Sequence, residues 1–338
     1  MRRPSHRNAV LIGIGAYVPP TRISNADLIA GGLDTSDEWI RARTGIATRH
    51  IVQPGVATSD LAVEAAWRAL ESAGTGEVDA VVLATTTPDR PCPATAPDVA
   101  ARLGLHEVPA FDIAAVCSGF LYGLATAAGL IASHAADRVL LVTADAFSTL
   151  INPADRSTAV IFGDGAGAVV LRAGHVDEPG AIGPMVLHSD GAHSDLIEVP
   201  AGGARQRVSG TEPRAEDFFF RMQGRETYRH AVTRMTEASA QAARLAGWSM
   251  TDIDRFAVHQ ANARILNSLA TRLEFPPDRC LSNIEHVGNT GAASLALLLA
   301  QSADSGLLTA GHKVLLTAFG GGLTWGATTL IWPDLPAH

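Results

Sequence analysis

Apolar positions along this chain gather into short continuous runs, divided by longer stretches in which small and apolar residues recur at helical spacing. Runs without alternation suit strands that helices cover on both faces. The run in "MRRPSHRNAVLIGIGAYVPP" follows basic residues, as the core of a short signal peptide does. Its apolar part is brief, broken by Gly13 and Gly15, and rich in β-formers, so a first strand is expected instead.

The pattern then occurs twice. "ALESAGTGEVDAVVLATT" (Ala69 to Thr86) parallels "ARLAGWSMTDIDRFAVHQA" (Ala243 to Ala261): a helix end, a glycine, a loop with Asp79 or Asp254, and a buried strand. Gly74 and Gly247 suit positions just past a helix, where φ turns positive. Further on, "DRVLLVTAD" parallels "HKVLLTAFG", and "GAGAVVLRA" parallels "GATTLIWP". Two α/β halves are expected, 1–175 and 176–338, each reading strand, helix, strand, helix, strand, strand. Residues 186–223 break the pattern with Gly, Pro, Ser and charges and read as a linker.

Chemistry in open α/β sheets gathers beyond the strand carboxyl ends. Cys117 stands between the expected strand "VPAFDIAAV" and helix "SGFLYGLATAAGLIAS", His259 follows the strand "DRFAV", and Asn289 precedes a helix in "IEHVGNTGAASLALLLA". Singly these read as a small core residue, a packed histidine and a helix cap. Together, at matching turns of duplicated halves, they point to a nucleophile with two hydrogen-bonding partners. A helix N-terminus there favours the thiolate. The glycines of "FGGGLTWG" (Phe319 to Gly326) let backbone N–H groups approach a reacting carbonyl.

Composition narrows the classes. The chain has 338 residues, 47% of them hydrophobic, enough for one large or two medium domains with a substantial core. A net charge of -8 gives no basic field for nucleic acid, so small molecules or other proteins are the expected partners. Cys92, Cys117 and Cys280 are odd in number and lack metal-ligand spacing, which argues for a reducing compartment, by default the cytoplasm. No stretch nears the roughly 20 apolar residues of a membrane span, so a soluble protein is expected.

"TSDEWIRARTGIATRH" (Thr35 to His50), "FDIAAVCSGF", "DRSTAVIFGDGAGAVV", "VHQANARI", "GNTGAAS" and "FGGGLTWG" occur in an order that resembles the β-ketoacyl-acyl carrier protein synthase III family. These are the initiating condensing enzymes of fatty acid synthesis, within the thiolase superfamily. The resemblance covers nearly the whole chain. It implies a homodimeric, five-layered α-β-α-β-α thiolase-like fold built from two duplicated halves. It also implies acyl transfer from acyl-coenzyme A (acyl-CoA) to Cys117, then decarboxylative condensation with malonyl-carrier protein to give β-ketoacyl-carrier protein. No metal or other cofactor is implied.

By the same resemblance, the N–H groups of Cys117 and Gly321 bind the thioester oxyanion, His259 and Asn289 stabilise the enolate, and Phe319 favours loss of carbon dioxide. Trp39 and Arg156 sandwich the adenine of coenzyme A, with Thr35 and Arg43 nearby, and Asn262 faces the pantetheine. Arg229, Arg264 and Arg272 form a docking patch for the acyl carrier protein. Cys92 stands where many relatives place a large aromatic that reaches across the dimer interface into the acyl pocket, so a primer larger than acetyl is expected. Gly291 replaces a common serine. "FGDGAG" lacks the lysine of a phosphate loop and reads as a turn. "HSDGAHSD" (His188 to Asp195) has ligand-like spacing but matches a metal-free connecting segment. Priming of polyketides, acyl transfer to oxygen or nitrogen, a catalytically silent partner and a cysteine hydrolase remain as alternatives.

Overall fold

The computed structural model describes residues 7–336. Its first five-stranded sheet contains β1 (Asn8–Tyr17), β2 (Ala80–Ala84), β3 (Ala110–Ile113), β4 (Arg138–Asp145) and β5 (Gly165–Gly174), in the order β1-β5-β4-β2-β3. The second contains β6 (Val186–Ser189), β7 (Arg255–Val258), β8 (Cys280–Leu281), β9 (Lys313–Gly320) and β10 (Thr324–Ile331), in the order β6-β10-β9-β7-β8. Strand for strand the two orders coincide, so the duplication read from the sequence is a duplication of topology.

Seven helices bear on the site: α1 (Asp37–Thr44), α2 (Thr58–Ser72), α3 (Ala96–Arg102), α4 (Gly119–Ala132), α5 (Gly224–Leu245), α6 (Ala263–Arg272) and α7 (Ser294–Asp304). α4 and α7 lie between the sheets. Phe120, Leu121 and Leu124 of α4 share one core with Leu295, Leu298 and Leu299 of α7 and with strand residues from both sheets. Such helices are apolar on nearly every face because protein surrounds them. α2 and α3 cover the outer face of the first sheet, and α5 and α6 that of the second. The result is five layers, α-β-α-β-α. Since the central core draws on both halves, neither half holds a core of its own there.

Gly13 and Gly15 have a packing cause. A Cβ at Gly13 would lie 2.5 Å from the Ala69 carbonyl oxygen, and one at Gly15 2.4 Å from that of Ala65, so α2 crosses β1 at a distance only glycine permits. Gly74 and Gly247 have φ of 61° and 74°, as expected past α2 and α5.

Two sequence expectations are corrected. Each half contains one more helix–strand pair than was read, because α3 has seven residues and β8 only two, too short for periodicity to register. Residues 186–223 are not a linker: Val186–Ser189 is the edge strand β6, paired with β10, and the excursion after it closes a hairpin of Ile197–Glu198 with Arg221–Met222. The division between residues 175 and 176 falls in the connection from β5 to β6.

Candidate active site

Cys117 sits in a single 3-10 turn, Val116–Ser118, between β3 and α4. Val116 has φ of 45°, a left-handed conformation that costs a β-branched residue about 1–3 kcal/mol. Contacts from both halves hold it. Ser118 Oγ donates to the Ala115 carbonyl at 2.7 Å, and Thr324 Oγ1 of β10 donates to the same oxygen at 3.2 Å. A Cβ at Gly320 would stand 2.7 Å from the Cys117 nitrogen, so the second half's glycine loop lies against the nucleophile's backbone.

The thiol departs from the sequence expectation. Burial, and after it the negative charge of Asp145, push it up to about 12, and the backbone N–H at the turn only partly offsets this. The resting group is therefore a thiol, because the cost of burying a charge exceeds the help of a helix end.

His259 follows β7 directly and is 2% exposed. Its Nδ1 has no hydrogen-bond partner, and burial pushes the imidazole down to about 3, so the ring is neutral at physiological pH. The next residue, Gln260, carries no expectation from the sequence yet fixes this corner. Its Oε1 accepts from Ser282 Oγ and the Asn283 and Ile284 N–H groups, and its N–H donates to Ser294 Oγ at 2.8 Å.

Asn289 is 5% exposed. A one-turn helix, Ile284–Val287, separates it from β8. Its Oδ1 accepts from the Gly291 N–H at 3.0 Å, which identifies the other end as the NH2. Its own backbone joins the halves: the N–H donates to the Ile161 carbonyl at 2.9 Å and the carbonyl accepts from Gly163 at 3.0 Å.

Cys117, His259, Asn289 and Phe319 line one cavity of about 540 Å³. Trp39, Arg43, Asn262 and Arg264 line it too, with Arg43 and Arg264 exposed at its mouth. Ile197, Phe220 and Met222 form a wall that the sequence reading missed, since they come from the supposed linker. Phe162, which lines the cavity beside them, stacks on Phe147 with centroids 4.3 Å apart, and Phe220 meets the Phe147 and Phe162 rings edge-on at 5.2 and 5.0 Å.

The first half contributes the mouth through α1. Ser36 Oγ accepts from the Trp39 N–H at 3.1 Å, and a Cβ at Gly45, which ends the helix with φ of 77°, would press to 2.6 Å on Ala263 Cβ of α6. Arg43 and Arg156 both stand over the Trp39 indole, at 4.2 and 4.8 Å from its centroid. An aromatic ring between two planes needs about 7 Å, two van der Waals contacts, so the slot between Trp39 and Arg156 is closed here.

The remaining expected residues fall outside the cavity lining. Thr35 precedes α1 with its hydroxyl buried and unpartnered. Gly321 faces Ile197, the nearest atom to a Cβ there being 3.1 Å away. Arg229 is exposed on α5 and pairs with Glu226 at 2.7 Å, and Arg272 is exposed at the end of α6. Cys92 is exposed, and Cys280 is half-buried in β8 with its thiol raised by burial. In "FGDGAG" the Asp164 carboxylate accepts from Ser148 and from the Val52 N–H, tying a turn together. Asp190 of "HSDGAHSD" pairs with Arg234 and His193, and no cluster of three metal-ligating side chains occurs among the described residues.

The family models for 3-oxoacyl-[acyl-carrier-protein] synthase III match residues 111–191 and, for its C-terminal part, 243–332. The β-ketoacyl-[acyl-carrier-protein] synthase III 3 of Streptomyces coelicolor is 56% identical over 97% of this chain and 98% of its own length. The crystal structure of 3-oxoacyl-(acyl carrier protein) synthase III from Pseudomonas aeruginosa superposes with a TM-score of 0.91 at 48% identity, covering 98% of this chain and 100% of that one. The priming β-ketosynthase of the R1128 polyketide pathway superposes at 0.90 with 34% identity, covering 99% of both chains. A cysteine, a neutral histidine and an asparagine thus converge where two duplicated halves meet, and the chain belongs to the β-ketoacyl-[acyl-carrier-protein] synthase III family.

Proposed function

We propose that Cys117 takes an acyl group from an acyl-CoA and passes it to the carbanion formed when a malonyl-carrier protein loses carbon dioxide. The observation that carries this reading is the convergence of Cys117, His259 and Asn289 on one cavity with an exposed basic mouth. In the first half-reaction the sulfur attacks the thioester carbonyl, the C–S bond to coenzyme A breaks, and the thiol proton leaves on the coenzyme. In the second, carbon dioxide departs and the electron pair moves onto the thioester oxygen, where the His259 N–H and the Asn289 NH2 donate to it. The enolate carbon then attacks the acyl-Cys117 carbonyl, a C–C bond forms, and the cysteine sulfur leaves as a thiolate that takes up a proton from solvent. Phe319 offers the malonyl carboxylate an apolar neighbour, which favours loss of its charge.

The Cys117 N–H and the glycine loop supply the oxyanion donors, with Gly321 as the second. Coenzyme A enters by the basic mouth, past Thr35, Arg43, Arg156 and Asn262. For adenine to bind, Arg156 must swing off the indole. Trp39→Ala should raise KM for acyl-CoA about tenfold and leave kcat within about twofold, since the ring lies far from the reacting bonds. Initial rates across donor concentration check this.

Arg264 at the mouth, with the exposed Arg229 of α5 and Arg272 at the end of α6, would suit an acidic carrier protein. β3 is an edge strand whose free backbone groups can pair with a second copy, which supports a homodimer. The exposed Cys92 of the partner then completes the acyl pocket.

The primer exceeds acetyl: the cavity wall is apolar, and Cys92 fills less space than an aromatic ring. Phe220→Ala should remove one ring of the aromatic cluster, extend preference toward longer donors, and cost about 3–5 kcal/mol of stability. Adduct yields across a donor series, with a denaturation curve, test both statements. For the function itself, the intact protein is incubated with a panel of acyl-CoA donors and malonyl-carrier protein. A single acyl adduct followed by a β-ketoacyl product is expected. Hydrolysis without condensation would indicate a hydrolase, and no adduct from any donor would indicate a silent partner.

A further inference from the structure

Asp145, the last residue of β4, is a fully buried carboxylate to which the reaction above gives no task. Its Oδ1 accepts from the Thr86 N–H at 2.6 Å and from Thr85 Oγ1 at 3.1 Å, both in the turn after β2. Its Oδ2 accepts from the Ala292 N–H at 2.7 Å, across 147 residues of chain. Ala292 lies in the 3-10 turn Gly291–Ala293, whose first N–H holds Asn289 Oδ1. One carboxylate thus clips the turn that aims Asn289 to the rigid end of the first sheet. Gly291 shows how close this approach is: its φ is 58°, and a Cβ there would lie 2.2 Å from Asp145 Oδ2.

We propose that Asp145 is a positioning residue for the condensation half-reaction, holding Asn289 through the Ala292 N–H. Its carboxyl is pushed up to about 6 by burial, so at neutral pH it is chiefly ionised and accepts at both oxygens. The Cys117 turn packs on the Ala292 turn, where a Cβ at Gly119 would lie 3.1 Å from Ala292 Cβ, but it has hydrogen bonds of its own, from Ser118 and Thr324 to the Ala115 carbonyl. The two half-reactions should therefore separate when the clip is cut. A residue that served stability alone would weaken both together.

The inference rests on the reaction proposed above, and Asp145→Asn tests it in the full-length protein. An amide must turn its NH2 toward either the Thr86 or the Ala292 N–H, so one link is lost along with the charge. Condensation kcat is expected to fall about 10- to 100-fold, the loss of one charge-assisted hydrogen bond. Acyl loading of Cys117, read by intact mass, should stay within about threefold. With a negative charge removed beside the thiol, alkylation of Cys117 by iodoacetamide at pH 8 should become faster. A parallel loss in loading and condensation, no loss in either, or unchanged alkylation overturns the proposal. Thr85→Val, which removes the 3.1 Å link and also the acceptor of the Thr87 N–H but leaves the carboxylate and its Ala292 bond in place, should show the same separation at smaller amplitude, and serves alone if Asp145→Asn does not fold. Wild-type protein that loads no donor would sink the proposed reaction; wild type that turns over beside a variant without the separation would sink only the role of Asp145.

Discussion

Cys117→Ala is expected to abolish the covalent acyl adduct and to lower condensation by about 10⁴-fold or more, the scale on which losing a nucleophile acts. The substitution removes one sulfur from a turn that other groups hold: Ser118 and Thr324 bond the Ala115 carbonyl, and Gly320 packs against the residue-117 nitrogen. The fold should therefore survive. His259 and Asn289 also remain, so the variant should still release carbon dioxide from malonyl-carrier protein slowly, without making a β-ketoacyl product. Intact mass checks the adduct, and labelled carbon dioxide checks the residual decarboxylation. An adduct of unchanged yield in the variant would move the nucleophile to Cys92 or Cys280. The wild-type thiol, at about 12, should react with iodoacetamide only slowly at pH 7 and faster at each higher pH up to that value, because the thiolate fraction rises with pH. The thiol proton therefore leaves in the course of acyl transfer, to the departing coenzyme A sulfur.

What the sequence revealed, and what it hid, follows from the range of the forces involved. The duplication was legible because the long strands β4 and β9, eight residues each, repeat as apolar runs. Cys117, His259 and Asn289 were legible because each is chemically distinct and stands at a strand or helix boundary. β8, with two residues, was not. Neither was the wall from Ile197, Phe220 and Met222: its hairpin also has two residues per strand, and only contact with Phe147 and Phe162 gives it meaning. The thiol's resting state was misread because a helix end is a local feature, whereas burial is set by the whole fold. Asp145 looked like the end of a strand. Its partner is the amide of Ala292 in the other half, a contact that no spacing along the chain encodes.

Asn289→Asp and His259→Ala are expected to separate chemistry from packing at the enolate site. Asp at 289 keeps the size of the side chain and can keep an oxygen on the Gly291 N–H, now 3.0 Å from the amide oxygen. The other end changes from a donor to an oxygen. If Asn289 only fills space, this variant should condense nearly as well as the wild type. If its NH2 donates to the developing enolate, condensation should fall about 10²–10³-fold, as when one oxyanion donor is removed, and an anionic oxygen there should make the loss larger than in Asn289→Ala. His259→Ala should fall by a similar factor, because the neutral ring is a donor to the same oxygen. Its Nδ1 has no hydrogen-bond partner, so removing the ring leaves no severed bond to unfold the corner. In all three variants Cys117 should still load from acyl-CoA, and the double substitution should cost less than the product of the single losses, since both groups serve one charge. Loading that disappears along with condensation would mean that these residues activate the thiol, and the enolate would need other donors.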